Sequence, residues 1–253
     1  MKEFLGIDGY SRPAEGFLSW QHLTFVTALM VVMTTLAITL GRKYRNGKPE
    51  EKNKVLIWSA ILIDGFELFK IAVMCLRARS YSPILYELPL FLCSIQLITI
   101  PLAAFAKGRT KEAALDFVSI FGLLGAVLGT YGAGNNYGCY PVLSVDNVVS
   151  GITHSISGFC ALYIFIAGLA SLKKENSPIT FGILFAFCFA AYTANNILDY
   201  NYMFLRRGDG TPYDIFYNLL GGHPVFYPLT VVGMFVVYIG VFYFVRHLLK
   251  KKK

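Results

Sequence analysis

The chain has 253 residues, 55% hydrophobic and 15% charged, with mean hydropathy +0.54 and a formal net charge of +8. Soluble domains carry about 25% charged residues, and so few charges cannot coat a 28.2 kDa globule. Disorder, a collagen-like chain, a nucleic-acid-binding domain and a soluble enzyme are excluded, which leaves a polytopic membrane protein. The five cysteines show no CxxC and no Cys/His zinc spacing, so neither a disulfide framework nor a metal site is expected. The first sixteen residues hold no long apolar core, so no cleaved signal peptide is expected.

Apolar runs at residues 17–40, 55–76, 86–106, 114–132, 147–171, 178–200 and 224–245 predict seven spans, each near the ~20 residues that cross a bilayer. In lipid the backbone must satisfy its own hydrogen bonds, so the spans are expected as helices, and the alternation of a β-barrel is absent. The expected fold is an all-α polytopic domain covering 1–253. Arg42, Lys43, Arg45, Lys48, Lys52, Lys54, Lys107, Arg109, Lys111, Lys173, Lys174, Arg246 and Lys250 to Lys253 fall on one side. The other side holds only Lys2, Arg12, Arg77, Arg79, Arg206 and Arg207. The positive-inside rule then puts the N-terminus outside and the C-terminus in the cytoplasm. Two connections on the outer side are long, 131–146 and 201–223. The apolar pieces of the second, YMFL and IFYNLL, are too short to span and are expected at the membrane surface or as a lid. There is no internal repeat to suggest an inverted-repeat transporter.

Ionisable groups inside a span usually face a bundle interior or a water-filled cavity. At ~1.5 Å per residue, His22 lies about one turn below the outer end of the first span. Cys93 and His154 lie roughly two turns below the outer ends of the third and fifth. Asn195, Asn196 and Asp199 close the outer end of the sixth, and Glu67 and Lys70 lie in the outer half of the second. Asp64 is near the middle of that second span, and Asp116 near the inner end of the fourth. On the fifth span Asn147, Ser150, Gly151, His154, Ser157, Gly158 and Ala161 form one small, polar face. These stripes predict one shared cavity opening outward. Each also has a plainer reading: Cys93 as a small packing residue, His154 as a cross-helix hydrogen bond, Glu67–Lys70 as a structural pair, the Ser/Gly face as close helix packing.

Four segments carry a family likeness: SWQHL (19–23), ELPLFLCSIQLITIPLAAF (87–105), GITHSISGFCALY (151–163) and NYMFL (201–205). Their order and spacing resemble the YwaF-like integral membrane proteins, bacterial relatives of an animal multi-spanning acyltransferase that remodels ether phospholipids. The resemblance implies that Cys93 is the acyl-accepting nucleophile and His154 its base. Phe91 stands where many bacterial members carry a His, and Tyr140-Pro141-Val142 where many have a TPD-like turn.

The expected function is a membrane-embedded acyltransferase. It moves a fatty acyl chain from a phospholipid, through a Cys93 thioester, to a lysolipid or a lipoprotein amine at the outer leaflet. The substrate-binding set expected around the pair is His22, Glu67, Asn195, Asn196, Asp199, Asn201, Tyr202 and Arg206. Among these, Asn195, Asn196 or Tyr202 would donate to the oxyanion. His22 would be a second acid/base, and Arg206 with Arg207 would hold a lipid phosphate. No soluble cofactor, metal or nucleic-acid partner is expected, and the location is a bacterial cytoplasmic membrane. The alternatives are a transporter of a small polar solute, supported by Asp64, Glu67, Lys70, His22 and Asp199, and a ligand-sensing seven-helix membrane protein.

Overall fold

The computed structural model describes residues 2–251, and within them all regular structure is helical. The principal helices are α1 (Trp20–Tyr44), α2 (Pro49–Ala78), α3 (Gln96–Phe105), α4 (Gly108–Tyr131), α5 (Val145–Ile166), α6 (Ser177–Leu198) and α7 (Phe226–Lys251). The last residues of the basic tail, 252–253, lie outside the described residues.

Local chemistry explains several helix starts. Ser19 accepts the His22 N–H ahead of α1, and Ser144 accepts the Asn147 N–H ahead of α5, each satisfying a donor the helix cannot. Glu51 accepts the Lys48 N–H at the start of α2, where Pro49 needs no partner. Five stretches are long and apolar enough to cross a membrane: Trp20–Tyr44, Gly108–Cys139, Val145–Ile166, Lys174–Leu198 and Phe226–Leu249. Helix α2 has the length, at 30 residues, but carries Asp64, Glu67 and Lys70.

The expected third span is not one helix. A five-residue helix (Ser82–Tyr86) is followed by irregular backbone, and α3 begins only at Gln96. Ten helical residues reach about 15 Å, half of a ~30 Å hydrocarbon core. Pro89 contributes: it has no N–H to donate and disfavours the helical region for Leu88. The fifth span also stops early, at Ile166. Gly168 at φ +72° and Leu172 at φ +42° turn the chain away from the helix axis.

Helix α4 is the centre of the bundle. One buried cluster joins it to α2, α3 and α5 through Ile63, Ile100, Val118 and Ile164. A second joins it to α6, α7 and the 201–205 segment through Phe117, Phe121, Leu184, Tyr202 and Phe235. Lipid offers no hydrophobic drive between helices, so close packing has to supply the cohesion. Helices α4 and α5 nearly touch backbone to backbone: a Cβ on Gly122 would stand 2.6 Å from the Ser157 carbonyl.

The N-terminal segment and the connections 131–146 and 201–223 gather at one end of the bundle. There Tyr10 donates to Asp146 at 2.6 Å, Arg77 grips the same carboxylate at 2.5 and 2.9 Å, and Glu15 accepts the Val142 N–H at 2.7 Å. In the second connection Tyr202, Met203 and Leu205 are buried, while the short helix Asp214–Leu219 exposes Ile215 and Leu219. The opposite end carries the basic loops.

Candidate active site

Cys93 lies in the irregular stretch, three residues before α3. A reciprocal pair of hydrogen bonds shapes the turn: Ser94 Oγ accepts the Phe91 N–H at 3.0 Å and donates to the Phe91 carbonyl at 3.1 Å. The thiol sits just ahead of the first turn of α3, where a helix dipole favours negative charge.

His154 comes from α5. Its Nδ1 lies 2.7 Å from the Ser150 carbonyl. A carbonyl only accepts, so Nδ1 carries the proton and Nε2 is left with a free lone pair. The imidazole and the Cys93 thiol are neighbours, packed against the same face of α4 one turn apart, with no hydrogen bond between them among the described residues. Both side chains are partly exposed.

Helix α4 makes the meeting possible. Gly125 faces Cys93, and Gly129, one turn on, faces His154. A Cβ on Gly129 would stand 2.8 Å from His154 Cγ and closer still to Cδ2 and Nε2, whereas one on Gly125 would stand an ordinary 3.5 Å from Cys93 Cβ. Only a glycine at 129 leaves room for the ring.

The Cys93 segment is held from two sides. Lys70 on α2 bridges Glu67 at 2.7 Å and Glu87 at 3.0 Å, anchoring its beginning. Phe91 packs against Tyr200, Tyr202 and Phe204, with the Tyr202 ring 5.3 Å away. The Tyr202 hydroxyl donates to the Leu85 carbonyl. Asn195 in turn fixes Tyr202 by accepting its N–H at 2.5 Å and donating to its carbonyl at 3.0 Å.

The remaining sequence-predicted residues sit apart from the sulfur or are already engaged. His22 is buried with both nitrogens bonded: Nδ1 accepts the Leu18 N–H at 3.1 Å and Nε2 donates to the Thr130 carbonyl at 3.0 Å. Its ring stacks on Tyr137 at 3.9 Å. Asn196 is exposed and bonds back to the Tyr192 carbonyl. Asp199 ends α6 in a left-handed conformation and pairs with Arg206 at 2.5 Å. The Arg206 guanidinium there holds the exposed Asp199 carboxyl below the usual carboxylate range. Arg206 also donates to the Asn195 carbonyl at 3.2 Å, so its guanidinium closes the helix end. Asn201 accepts the Arg206 N–H and donates to the Arg207 carbonyl and to Asp209, shaping the connection.

Two grooves on the surface do not link these groups. One groove, of about 480 Å³, runs between α2 and α3 and is lined by Asp64, Leu97, Ile98, Pro101 and Leu102 among others. A second, of about 300 Å³, opens at the basic end. Neither is lined by Cys93 or His154. The polar face of α5 is spent largely on packing, as Gly122 against Ser157 illustrates.

Sequence reasoning did not single out Ser94, Glu87, Gly125, Gly129 or Tyr213. The glycines had a signal, a small-xxx-small spacing in an apolar run. Tyr213, on the 201–223 connection, packs against Phe204 and Phe235. Burial pushes its phenol up to about 12, so it stays a neutral hydroxyl. Among the described residues no three His, Cys, Asp or Glu side chains converge as metal ligands.

Residues 17–245 match the model of the TMEM164 family. No curated protein and no solved structure matches the chain.

Proposed function

Because the chain belongs to the TMEM164 family, an integral membrane family loosely tied to acyl transfer, we propose that it is a phospholipid-dependent acyltransferase built on Cys93 and His154. The observation that carries this is a thiol and an imidazole packed one turn apart on the same face of α4, against Gly125 and Gly129, with His154 Nδ1 held by the Ser150 carbonyl so that Nε2 keeps its lone pair. That is the equipment of acyl transfer: nucleophile and base.

His154 Nε2 takes the thiol proton as the Cys93 sulfur attacks the ester carbonyl of a phospholipid. The carbonyl oxygen becomes negative, facing the N–H groups of Cys93 and Ser94. The ester C–O bond then breaks, and the leaving lysolipid alkoxide takes the proton back from His154. A thioester remains on Cys93. An acceptor, a lysolipid hydroxyl or a lipoprotein amine, gives its proton to Nε2 and attacks the thioester. The C–S bond breaks, and the thiolate recovers the proton from the imidazolium. No soluble cofactor enters the balance.

Asn195, Tyr202, Glu67 and Lys70 serve this scheme as positioning residues that hold the Cys93 segment. The resemblance to YwaF-like proteins adds a bacterial cytoplasmic membrane as the location. With it go seven crossings, counting α2 and the broken α3 segment, and an N-terminus outside on the distribution of Lys and Arg. The charges behind a transporter reading are mostly engaged: Glu67 and Lys70 in one cluster, Asp199 with Arg206.

Intact-mass analysis of the purified chain after incubation with phospholipid tests the proposal. A hydroxylamine-sensitive acyl adduct on Cys93, absent in Cys93→Ala and strongly reduced in His154→Ala, is expected. Acyl exchange that survives Cys93→Ala would sink it.

A further inference from the structure

The groove at the basic end is built from opposite ends of the chain. Arg45, just past the end of α1, and Arg246, near the end of α7, line it together with Phe165, Gly168, Ala170 and Leu172. Its volume is about 300 Å³, and no carboxylate lines it. Of the other cations at this end, Lys52 bonds to the Ala167 carbonyl, Lys111 to Asn53 and Lys173 to Glu112, while those without a partner among the described residues, such as Lys54, stand outside the groove. Arg45 and Arg246 are exposed, and among the described residues neither guanidinium makes a hydrogen bond or ion pair. Two unneutralised guanidiniums on one concave surface repel each other unless an anion sits between them, and their planar forks match a phosphate.

The rest of the wall narrows the class of anion. Phe165 exposes 42% of its surface there and offers an apolar face beside the charges. Gly168 brings no side chain, and a Cβ placed on it would meet nothing within 4 Å, so the floor stays open. A free anion has no use for an apolar wall, whereas an amphiphile has. We propose that this groove binds the phosphodiester headgroup of an anionic membrane lipid, with Arg45 and Arg246 on the phosphate and Phe165 against the upper acyl chain. The site is separate from Cys93 and stands whether or not the chain transfers acyl groups.

Native mass spectrometry of the full chain released from detergent tests this, with phosphatidylglycerol, phosphatidylcholine and inorganic phosphate as probes. Phosphatidylglycerol is expected to be retained over phosphatidylcholine. Arg45→Gln and Arg246→Gln should each weaken that retention about ten-fold, the worth of one charge-assisted contact. Lys54→Gln, an exposed cation outside the groove, should leave retention unchanged, and Arg45→Lys should keep part of it. Equal retention of both lipids, or an equal loss in Lys54→Gln, would reduce the effect to general surface charge and overturn the proposal. Displacement of phosphatidylglycerol by millimolar inorganic phosphate would make a free anion the ligand and overturn the lipid assignment. Misfolding of a variant would show as a changed size-exclusion profile, and the comparison then rests on the other arginine.

Discussion

Replacing Gly129 by Ala tests the site without touching either reacting group. The added methyl would stand 2.8 Å from His154 Cγ and nearer still to Nε2, inside the 3.0 Å that real Cβ atoms essentially never breach. Relief requires the imidazole to retreat by on the order of 1 Å, and a displacement of that size costs a catalytic pair roughly 10²-fold in rate. In barrier terms that is about 2.7 kcal/mol. Stability should change less. Alanine gains ~1 kcal/mol over glycine within a helix, against ~1–3 kcal/mol for overpacking, leaving a net cost of at most ~2 kcal/mol. Gly125→Ala is the internal control: its methyl meets Cys93 Cβ at an ordinary 3.5 Å, so it should keep its rate and melt no lower than the native chain. The assay is transfer of a labelled acyl chain from phospholipid to lysolipid in proteoliposomes, alongside thermal unfolding in detergent. A folded Gly129→Ala chain with native transfer would refute the placement of His154, and equal losses in the two alanine variants would refute the distinction between them.

Three further outcomes follow from the same geometry. Asn195→Ala strips both backbone hydrogen bonds from Tyr202 and should cost ~2–4 kcal/mol, with faster proteolysis in 201–212 and slower acyl transfer as the readouts. Lys70→Met leaves Glu67 and Glu87 facing each other without their shared cation; breaking such a sheltered pair should cost ~3–5 kcal/mol in thermal unfolding, and Glu67→Gln in the same background should recover part of it. Burial and the Asp146 carboxylate push the Tyr10 phenol from its ordinary 10.0 up to about 12. The folded state thus favours the neutral phenol, and what this contact contributes is intact below pH 10 and lost as pH rises through 12. A difference phenolate titration against Tyr10→Phe should show that late step, and ionisation near 10 would contradict the Tyr10–Asp146 contact.

The sequence was most legible where apolarity and backbone regularity coincide. Runs 114–132 and 178–200 became α4 and α6, the ends moved by at most two residues except at the start of α4, which lies six residues earlier. Run 86–106 is as apolar as they are, yet it is half irregular. Hydropathy reports the medium a segment lies in, whereas Pro89 contributes to what its backbone does there. Periodicity identified the small face of α5 but not what it meets, because Ser157 against Gly122 and His154 against Gly129 read alike in one sequence. The polar residues placed by depth show a different limit. His22 and Asn195 suited a cavity by position, and each instead has its hydrogen-bonding groups taken by backbone. Depth says that a polar group needs a partner, not which partner it finds.

The broken segment gives that limit a positive use. Non-helical backbone inside a membrane survives only where protein or a polar cavity surrounds it, since each unpaired N–H left in hydrocarbon costs several kcal/mol. This chain surrounds the Cys93 stretch with Lys70 and Glu87 on one flank and Phe91, Tyr200 and Tyr202 on the other, and Ser94 takes up the Phe91 backbone groups. The Cys93 and Ser94 N–H groups have no hydrogen-bond partner among the described residues. A neutral thiol is a poor acceptor for them, and an anionic sulfur or oxygen is a good one. A continuous helix through residues 86–106 would have bonded both donors to carbonyls four residues back. On the proposed acyl-transfer reading, the interruption keeps the Cys93 segment out of a continuous helix, and the imidazole that would take the thiol proton arrives on α5 through the gap at Gly129.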